Sequence, residues 1–301
     1  MKTITAILLL ISIGFASAVS AENYVDGAAA FQAGDLEAAF SIWSKEAEGG
    51  YAIAQYNLGQ MYRHGNGVPQ DYKQAASWFR KAAEQGLAEA QYFLGLMFDQ
   101  SSGDQEDNVQ AVNWFRKAAE QGYAEAQFTL GNAYVSGKGV PQDYKQAESL
   151  YRKAAEQGYA RAQHNLGQLY RNGEGVPQDY KQAVSWYRKA AEQGNVDGQA
   201  TLGWMYETGK GVPQDYKQAV SWYRKAAEQD NAYAQYNLGN MYVNGWGVPQ
   251  DYVLAHKWFN LAAVSGDEDS VKLRDILASE MTPAQIAEAQ KLAREWKPSS
   301  P

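Results

Sequence analysis

The chain has 301 residues, a net charge of −7 and no cysteine. This length is ample for a large hydrophobic core, but without cysteine the core must hold the fold without disulfides. Basic residues such as Arg80 and Lys81 recur, and an acidic residue such as Glu84 follows at helical spacing, where opposite charges pair along a solvated face. Because phosphate backbones attract clustered basic residues, this pattern argues against nucleic acid as a partner.

The first residues have the layout of a secretory signal peptide. Lys2 precedes an uncharged apolar run over residues 4–15, and small residues follow it. The run is too short for a bilayer span of roughly 20 residues, and no later segment is apolar enough to cross a membrane. We expect residues 1–21 to be removed, with Glu22 as the mature N-terminus and a periplasmic or secreted location. Cleavage after Ala18 and an uncleaved anchor are the alternatives.

A repeat of 36 residues organises most of the chain. At that interval a leucine is followed by glycine, then by an aromatic residue, and later by single and paired alanines. Self-similarity at this period is typical of a solenoid, whose units bury their apolar faces against their neighbours. The repeated leucines are Leu58, Leu94, Leu130, Leu166, Leu202 and Leu238.

Each copy is predicted to contain two helices, of which helix A comes first. In the first copy its apolar face comprises Ala54, Leu58, Met61 and Tyr62, which have the spacing of one helical face. Gly59 lies inside this helix, where glycine is less favourable than alanine by about 1 kcal/mol. Because the glycine recurs in every copy, we expect a neighbouring helix to approach closely there.

Helix B follows a loop rich in glycine. Asp71 is its predicted N-cap, with Gln74 as the capping-box partner, and Gly86 is the glycine that ends it. In the fifth copy Asp230 takes the place of that glycine, and we expect a left-handed conformation there too. The predicted buried face of helix B comprises Ala75, Trp78, Phe79, Ala82 and Ala83.

Both ends of the array are predicted to be capped. Residues 22–53 form a shorter unit, in which a tight turn at Gly34 and Asp35 replaces the long loop. Residues 268–297 form C-terminal capping helices, the last of which begins at a capping box from Thr282 to Gln285. Residues 298–301 are predicted to be a disordered tail.

The repeat resembles the Sel1-like repeat family. The family pattern A-x-x-x-L-G-x-x-Y-x-x-G-x-G-V-x-x-D-x-x-x-A-x-x-W-[FY]-x-K-A-A-x-x-G appears here as AQYNLGQMYRHGNGVPQDYKQAASWFRKAAEQG. The resemblance covers residues 54–267 as six repeats of 36 residues, and residues 22–53 look more like a tetratricopeptide (TPR) unit. It implies an exported bacterial member with an all-α fold: a right-handed α-solenoid superhelix of helix-turn-helix repeats. Its helices A would line a concave surface used in protein–protein contacts.

The second copy departs from the family pattern in its loop. Ser101 and Gln105 replace the loop glycine and proline, and Asn108 replaces the tyrosine, so its loop is expected to differ. Three acidic residues nearby suggest a calcium site, but their spacing does not fit an EF-hand and a solvated acidic loop is favoured. These residues are Asp104, Glu106 and Asp107.

Few other residues suggest chemistry, and no cofactor or metal ligand set is expected. His64, His164 and His256 have no partner at metal-ligand spacing. The loops around Lys138 and Lys210 lack the serine or threonine of a phosphate-binding loop. A row of tryptophans suggests a sugar-binding ladder, but its place on helix B favours core packing. The row comprises Trp78, Trp114, Trp186, Trp222 and Trp258.

One enzymatic alternative follows from the resemblance. Some Sel1-repeat proteins similar to this chain are described as β-lactamases or penicillin-binding proteins. The serine chemistry of that class uses S-x-x-K with K-T-G, and neither motif occurs in the chain. Clustered histidines are also missing, and those relatives are rich in cysteine, which this chain lacks. The chain is therefore predicted not to be an enzyme.

A set of positions on helix A varies sharply among otherwise similar copies, and we call it the variable stripe. Its mixture of amide, aromatic and arginine side chains is similar to interface composition. Drift on an unconstrained surface is the alternative, and apolar residues expected to be exposed, such as Phe93, Leu96 and Trp204, argue against it. The candidate ligand-binding residues are Tyr56, Asn57, Gln60, Arg63, Tyr92, Phe93, Leu96, Phe128, Asn132, His164, Gln168, Arg171, Trp204, Tyr236, Asn237 and Asn240.

These observations predict a protein- or peptide-binding adaptor in the bacterial envelope, with its ligand on the concave helix-A face. The expected anchors are Tyr92, Phe93, Leu96 and Trp204, because a few aromatic and apolar residues usually dominate an interface. The polar residues around them would orient the ligand. They are Tyr56, Arg63, His164, Arg171 and Asn237.

Overall fold

A computed structural model of the chain describes residues 18–100 and 104–298, and most of the predicted signal peptide lies outside these residues. The described residues form sixteen α-helices and no strand. No helix among them is both long enough and apolar enough to span a bilayer. The helices are α1 Ala18–Gln32, α2 Leu36–Glu48, α3 Ala52–His64, α4 Tyr72–Glu84, α5 Ala88–Gln100, α6 Gln105–Glu120, α7 Ala124–Ser136, α8 Tyr144–Glu156, α9 Ala160–Asn172, α10 Tyr180–Glu192, α11 Val196–Thr208, α12 Tyr216–Ala227, α13 Ala232–Asn244, α14 Tyr252–Val264, α15 Glu268–Ser279 and α16 Pro283–Arg294.

The chain divides into two compact units, Met1–Gln142 and Asp143–Pro301. The first unit contains α1 to α7 and the second contains α8 to α16. Within each unit, helices that follow one another along the chain pack together as far as α15, and their short connections make them antiparallel. Each unit is therefore a stack of helix pairs, which confirms the predicted all-α solenoid.

Helix B begins at the predicted N-cap and ends at the predicted glycine. In α4 the Asp71 carboxylate accepts hydrogen bonds from the backbone N–H groups of Lys73 and Gln74, at 2.9 and 3.0 Å. The predicted capping box is only half formed, because the Asp71 N–H donates to the Tyr62 carbonyl at 2.9 Å and not to the Gln74 side chain. Gly86 has φ +93°, and Asp230 is the one non-glycine residue of the described chain with positive φ, at 61°. The prediction that Asp230 takes a left-handed conformation is confirmed.

The recurring glycine of helix A lies against an aromatic ring of helix B in the same copy. A Cβ atom added to Gly59 would lie 2.5 Å from Cε1 of Phe79, a side chain that is fully buried. Only glycine leaves room for this ring, so tight helix packing offsets the low helix propensity, as expected. The same contact joins Gly95 to Phe115, Gly167 to Tyr187, Gly203 to Tyr223 and Gly239 to Phe259.

Buried glutamines connect successive helices. Nε2 of Gln55 donates to the carbonyl oxygen of Ala47 at 3.1 Å, and its Oε1 accepts from Nε2 of Gln85 at 2.8 Å. These bonds satisfy the amide nitrogen and the amide oxygen of Gln55, which burial would otherwise leave without partners. The sequence analysis missed this role, although the glutamines are part of the repeat. Equivalent side-chain pairs are Gln91–Gln121, Gln163–Gln193 and Gln199–Gln229.

The first helix pair uses the same glycine–aromatic contact. Gly27 of α1 lies where an added Cβ would overlap the indole ring of Trp43 on α2. The Asp35 carboxylate caps α2 by accepting from the Ala38 N–H at 3.0 Å. The sequence analysis missed Gly27 because the shorter connection shifts α1 out of the 36-residue register.

The last two helices end the array differently. Both halves of the predicted capping box between Thr282 and Gln285 are present at α16. Helix α16 packs against α14, where Trp296 lies edge-on to Trp258 with ring centroids 5.1 Å apart. On α15 the repeated glycine is replaced by Asp275. In the repeats the glycine at this position lies against a helix-B aromatic ring. An aspartate leaves no room for such a ring on α15.

The loop of the second copy differs as expected, and helix B is longer there. Helix α6 begins at Gln105, ahead of Asn108, which is the counterpart of the first residue of α4. The Asp104 carboxylate accepts from the Asp107 N–H at 2.9 Å and caps the added turn. Part of the expected loop is therefore helical, while residues 101–103 lie outside the described chain.

Candidate functional site

The variable stripe is half-buried along helix A. Of the sixteen candidate residues, fourteen are half-buried. Phe128 is only 6% exposed and His164 only 8%, so these two support the surface from below and offer a ligand little area. The expectation that Phe93, Leu96 and Trp204 are exposed is corrected to half-buried, because neighbouring helices cover one side of each.

Aromatic side chains dominate the stripe in the first unit. The Phe93 ring lies 5.8 Å from that of Tyr56 and 5.4 Å from that of Tyr92. It also stacks on the buried Phe79 at 5.5 Å, which joins the stripe to the core. The Arg63 guanidinium lies over the Phe93 ring, 4.9 Å from its centroid. The cluster thus combines apolar area with one cation.

The polar residues of this unit are largely paired within it. Nε2 of Gln60 donates to the Tyr56 hydroxyl at 2.8 Å. The Asp99 carboxylate accepts from Nζ of Lys138 at 2.6 Å. The charges of Asp99 and Lys138 therefore cancel, which leaves an aromatic surface with Arg63 as its cation.

Cations surround the aromatic residue of the stripe in the second unit. The Trp204 ring has Nζ of Lys210 at 4.7 Å from its centroid and the Arg171 guanidinium at 5.8 Å. Both distances are within the range of a cation–π interaction. Lys210 also lies 5.6 Å from the Tyr180 ring. This part of the stripe combines an indole face with two positive charges.

A hydrogen-bonded network lies beside this cluster. The Tyr223 hydroxyl donates to Oε2 of Glu207 at 2.5 Å, and Nδ2 of Asn237 donates to the Tyr233 carbonyl at 2.8 Å. Burial, reinforced by nearby Tyr233 and Glu207, raises the pKa of Tyr223, and burial also raises the pKa of Tyr233. Both hydroxyls stay protonated at neutral pH and remain hydrogen-bond donors.

His164 is a buried, uncharged member of the stripe. Its Nε2 lies 3.5 Å from Oγ1 of Thr201, and its ring centroid lies 5.5 Å from that of Tyr187. Burial lowers the pKa of His164, and the nearby Arg171 acts in the same direction. Among the described residues no group of three or more His, Cys, Asp or Glu side chains is placed to hold a metal ion.

An open cleft adjoins the end of the stripe between α13 and α15. Its volume is about 290 Å³, and Tyr236 is the only candidate residue among those that line it. The other residues that line it are not on the variable stripe, and the cleft forms only where α13 meets α15. They are Ala232, Tyr233, Asp267 and Asp269.

The tryptophan row on helix B lies partly in the core and partly at its edge. Trp186 and Trp258 are buried, at 7% and 5% exposure. The other three are half-buried, and a lysine ammonium lies over each ring, as Lys81 does at 3.9 Å from the Trp78 centroid. Because a lysine covers the accessible face, the row offers no free ladder of rings for a sugar. The other two pairs are Trp114–Lys117 and Trp222–Lys225.

Known proteins share both this sequence pattern and this fold. The structure of a Sel1 repeat protein from Oxalobacter formigenes is 34% identical and has a TM-score of 0.73, covering 80% of this chain and 96% of its own. A protective antigen of uropathogenic Escherichia coli strains, which displays an SLR fold, is 29% identical over 92% of this chain and 91% of its own, with a TM-score of 0.45.

Similarity to curated proteins is confined to a short segment. The DAP3-binding cell death enhancer 1 of Rattus norvegicus is 50% identical over 42 residues, which are 14% of this chain and 8% of that protein. The match therefore spans a small part of either chain.

By contrast, the Sel1 repeat matches residues 52–87, 88–123, 124–159, 160–195, 196–231 and 232–267. With six consecutive repeats covering most of its length, the chain belongs to the Sel1 repeat family.

Proposed function

We propose that this protein is an envelope adaptor that binds a protein or peptide on the variable stripe. Sel1 and TPR-like folds generally mediate protein–protein interactions and are typically non-catalytic scaffolds. The observation that carries the proposal is the contrast within helix A. The glycine and its aromatic partner recur, while most positions of the stripe beside them change from aromatic to polar or aliphatic residues among the copies. A constant frame with a varied face is what selective recognition requires.

The half-buried state of the stripe supports this proposal. Residues such as Phe93 and Trp204 are held by neighbouring rings and cations, so little side-chain entropy remains to be lost when a ligand binds. Rigid aromatic residues of this kind often dominate the free energy of an interface. The aromatic cluster of the first unit and the cationic cluster of the second each offer such a surface.

The envelope location rests on the signal-like N-terminus. We propose that export removes residues 1–21 and leaves Glu22 as the first residue, in the periplasm or outside the cell. Mass spectrometry of the protein from an envelope or culture fraction tests this. A mass that begins at Glu22 is the expected result, and a chain that retains Met1 contradicts the proposal.

Cross-linked pull-down from an envelope fraction tests the binding site. The test variant carries Phe93→Asn and Trp204→Asn. Asparagine is the residue that other copies carry at these positions, as Asn57 and Asn132 show, so the scaffold is expected to accept it. Val109→Asn is the control, because Val109 is 40% exposed on a helix B, away from the stripe. Circular dichroism confirms that each variant is helical.

The expected result is a specific partner that the parent and the control retain and the double variant loses. Retention of the same partner by the double variant would place the site on the loops or on helix B. A chain that captures no specific partner, yet hydrolyses a chromogenic β-lactam above a heat-inactivated control, would overturn the proposal in favour of the enzymatic alternative.

A further inference from the structure

We propose that the stripe of the second unit recognises an acidic peptide segment, through Arg171 and Lys210, which both lie close to Trp204. This inference rests on the proposed function and names the chemistry of the ligand. The charges of this cluster differ from those at the matched repeat positions of the first unit.

The matched positions of the first unit form an ion pair. Asp99 lies near the end of α5 and Lys138 lies just after α7, and their side chains meet at 2.6 Å. Arg171 and Lys210 are each two repeat lengths further along the chain, at the same repeat positions. In the second unit an arginine therefore takes the place of the aspartate that neutralises the lysine.

The two cations of the second unit have no such partner. Within the described chain neither Arg171 nor Lys210 forms an ion pair. Glu207 accepts a hydrogen bond from the Tyr223 hydroxyl and Glu174 accepts one from the Asn172 amide, and neither carboxylate forms an ion pair with Arg171 or Lys210. The two cations lie 5.8 and 4.7 Å from the centroid of Trp204, which stands where the third copy has asparagine.

A ligand of matching character would supply the missing negative charge and an apolar contact. Lys210 is exposed and Arg171 is half-buried, so a carboxylate has access to both. The half-buried Trp204 side chain would give an apolar contact next to that carboxylate. The chain as a whole carries a net charge of −7, which disfavours a broad polyanion such as an anionic membrane. A peptide that alternates acidic and apolar residues fits this small positive area better.

A phage-displayed library of random peptides, selected on the immobilised mature chain, provides the test. The key variant is Arg171→Asp, which rebuilds next to Lys210 the pair that Asp99 and Lys138 form in the first unit. Lys217→Asp is the matched control, because Lys217 is exposed on α12 and its substitution changes the net charge equally. Thermal melts establish that both variants fold.

We expect the parent and the Lys217→Asp control to enrich peptides rich in Asp and Glu, and the Arg171→Asp variant to lose that bias. A synthetic peptide of alternating glutamate and leucine should then bind the parent on the order of tenfold more tightly than its glutamine–leucine counterpart. This preference should weaken as salt is raised, because exposed charges are screened.

Two other outcomes separate this inference from the proposed function. The parent chain could enrich peptides that have no acidic bias and that the Phe93→Asn and Trp204→Asn variant no longer binds. That result would overturn the inference and leave the proposed function intact. Enrichment that neither the Arg171 nor the double variant changes, or no enrichment at all, would contradict both. Binding of phosphatidylglycerol vesicles through Arg171, without enrichment of acidic peptides, would also overturn the acidic-peptide inference.

Discussion

The glycine–aromatic contact and the variable stripe share helix A but differ in what they tolerate. The contact between Gly59 and Phe79 recurs along the chain, with glycine opposite Phe or Tyr in the repeats and opposite Trp43 in the first helix pair. One residue further along the helix, the stripe carries glutamine in the first copy, Leu96 in the second and Trp204 in the fifth. The contact therefore determines how helices pack, while the stripe is free to vary. If this division is correct, substitutions in the two regions should affect different measurements.

Truncation of the aromatic ring should have the largest effect. Phe79 is fully buried and lies on Gly59. Phe79→Ala should reduce the free energy of unfolding by roughly 3–5 kcal/mol, because the ring leaves a cavity that the helices cannot close. Chemical denaturation followed by circular dichroism measures this loss. An effect below about 1 kcal/mol would show that the contact does not hold the helix pair together.

Substitution of the glycine should have a smaller effect of the same kind. Gly59→Ala places a methyl group 2.5 Å from Phe79, and such overpacking costs about 1–3 kcal/mol, although alanine favours the helix by about 1 kcal/mol. A smaller side chain opposite should relieve the overlap. In the Phe79→Leu background, Gly59→Ala should therefore be neutral or stabilising. A double-mutant cycle measures the coupling, and additive effects would contradict direct contact.

Loss of a buried glutamine should weaken the junction between successive copies. Nε2 of Gln91 donates to the Ala83 carbonyl at 3.1 Å, and its Oε1 accepts from Gln121 at 2.8 Å. Gln91→Leu removes both hydrogen bonds, while the Ala83 carbonyl still accepts from the Gly86 N–H at 3.0 Å, so the expected cost is about 1 kcal/mol. Hydrogen exchange should show faster exchange at the end of α4 and the start of α5. Unchanged exchange there would mean that packing alone holds the junction.

Acid should destabilise the second unit through His164. Burial lowers its pKa below the usual 6.5, so between the two values the unfolded chain binds a proton that the folded chain does not. Stability therefore falls as the pH drops through 6.5 toward the pKa of the folded state. His164→Phe, which introduces the residue of the third copy, should reduce this dependence. His64 and His256 also have lowered pKa values, so part of the dependence should remain.

The sequence predicted the repeated features of the fold well, because each has a local physical cause. The N-cap at Asp71, the left-handed residue at Asp230 and the capping box at Thr282 all follow from backbone hydrogen bonding over a few residues. Periodicity predicted the core stripe in the same way. Gly27 could not be found by periodicity, since the short connection after α1 moves it out of register.

The candidate site was predicted less completely, because burial of a side chain depends on its neighbours in space. Phe128 and His164 are variable like the rest of the stripe, yet they lie under it. The pairing of Asp99 with Lys138, and the unpaired cations around Trp204, depend on which residues of successive copies meet. No pattern within one copy contains that information.

Site-specific photo-crosslinking tests most directly the claim that the stripe is the binding surface. A benzophenone side chain replaces either Tyr92, half-buried in the stripe, or Tyr72, which is 57% exposed at the start of helix α4. Both are tyrosines of the first unit, so the two substitutions are closely matched. Irradiation of cells that express each variant should yield a specific adduct from position 92 and none from position 72. An adduct from position 72 alone would contradict the account, because the partner would then contact helix B and its loop.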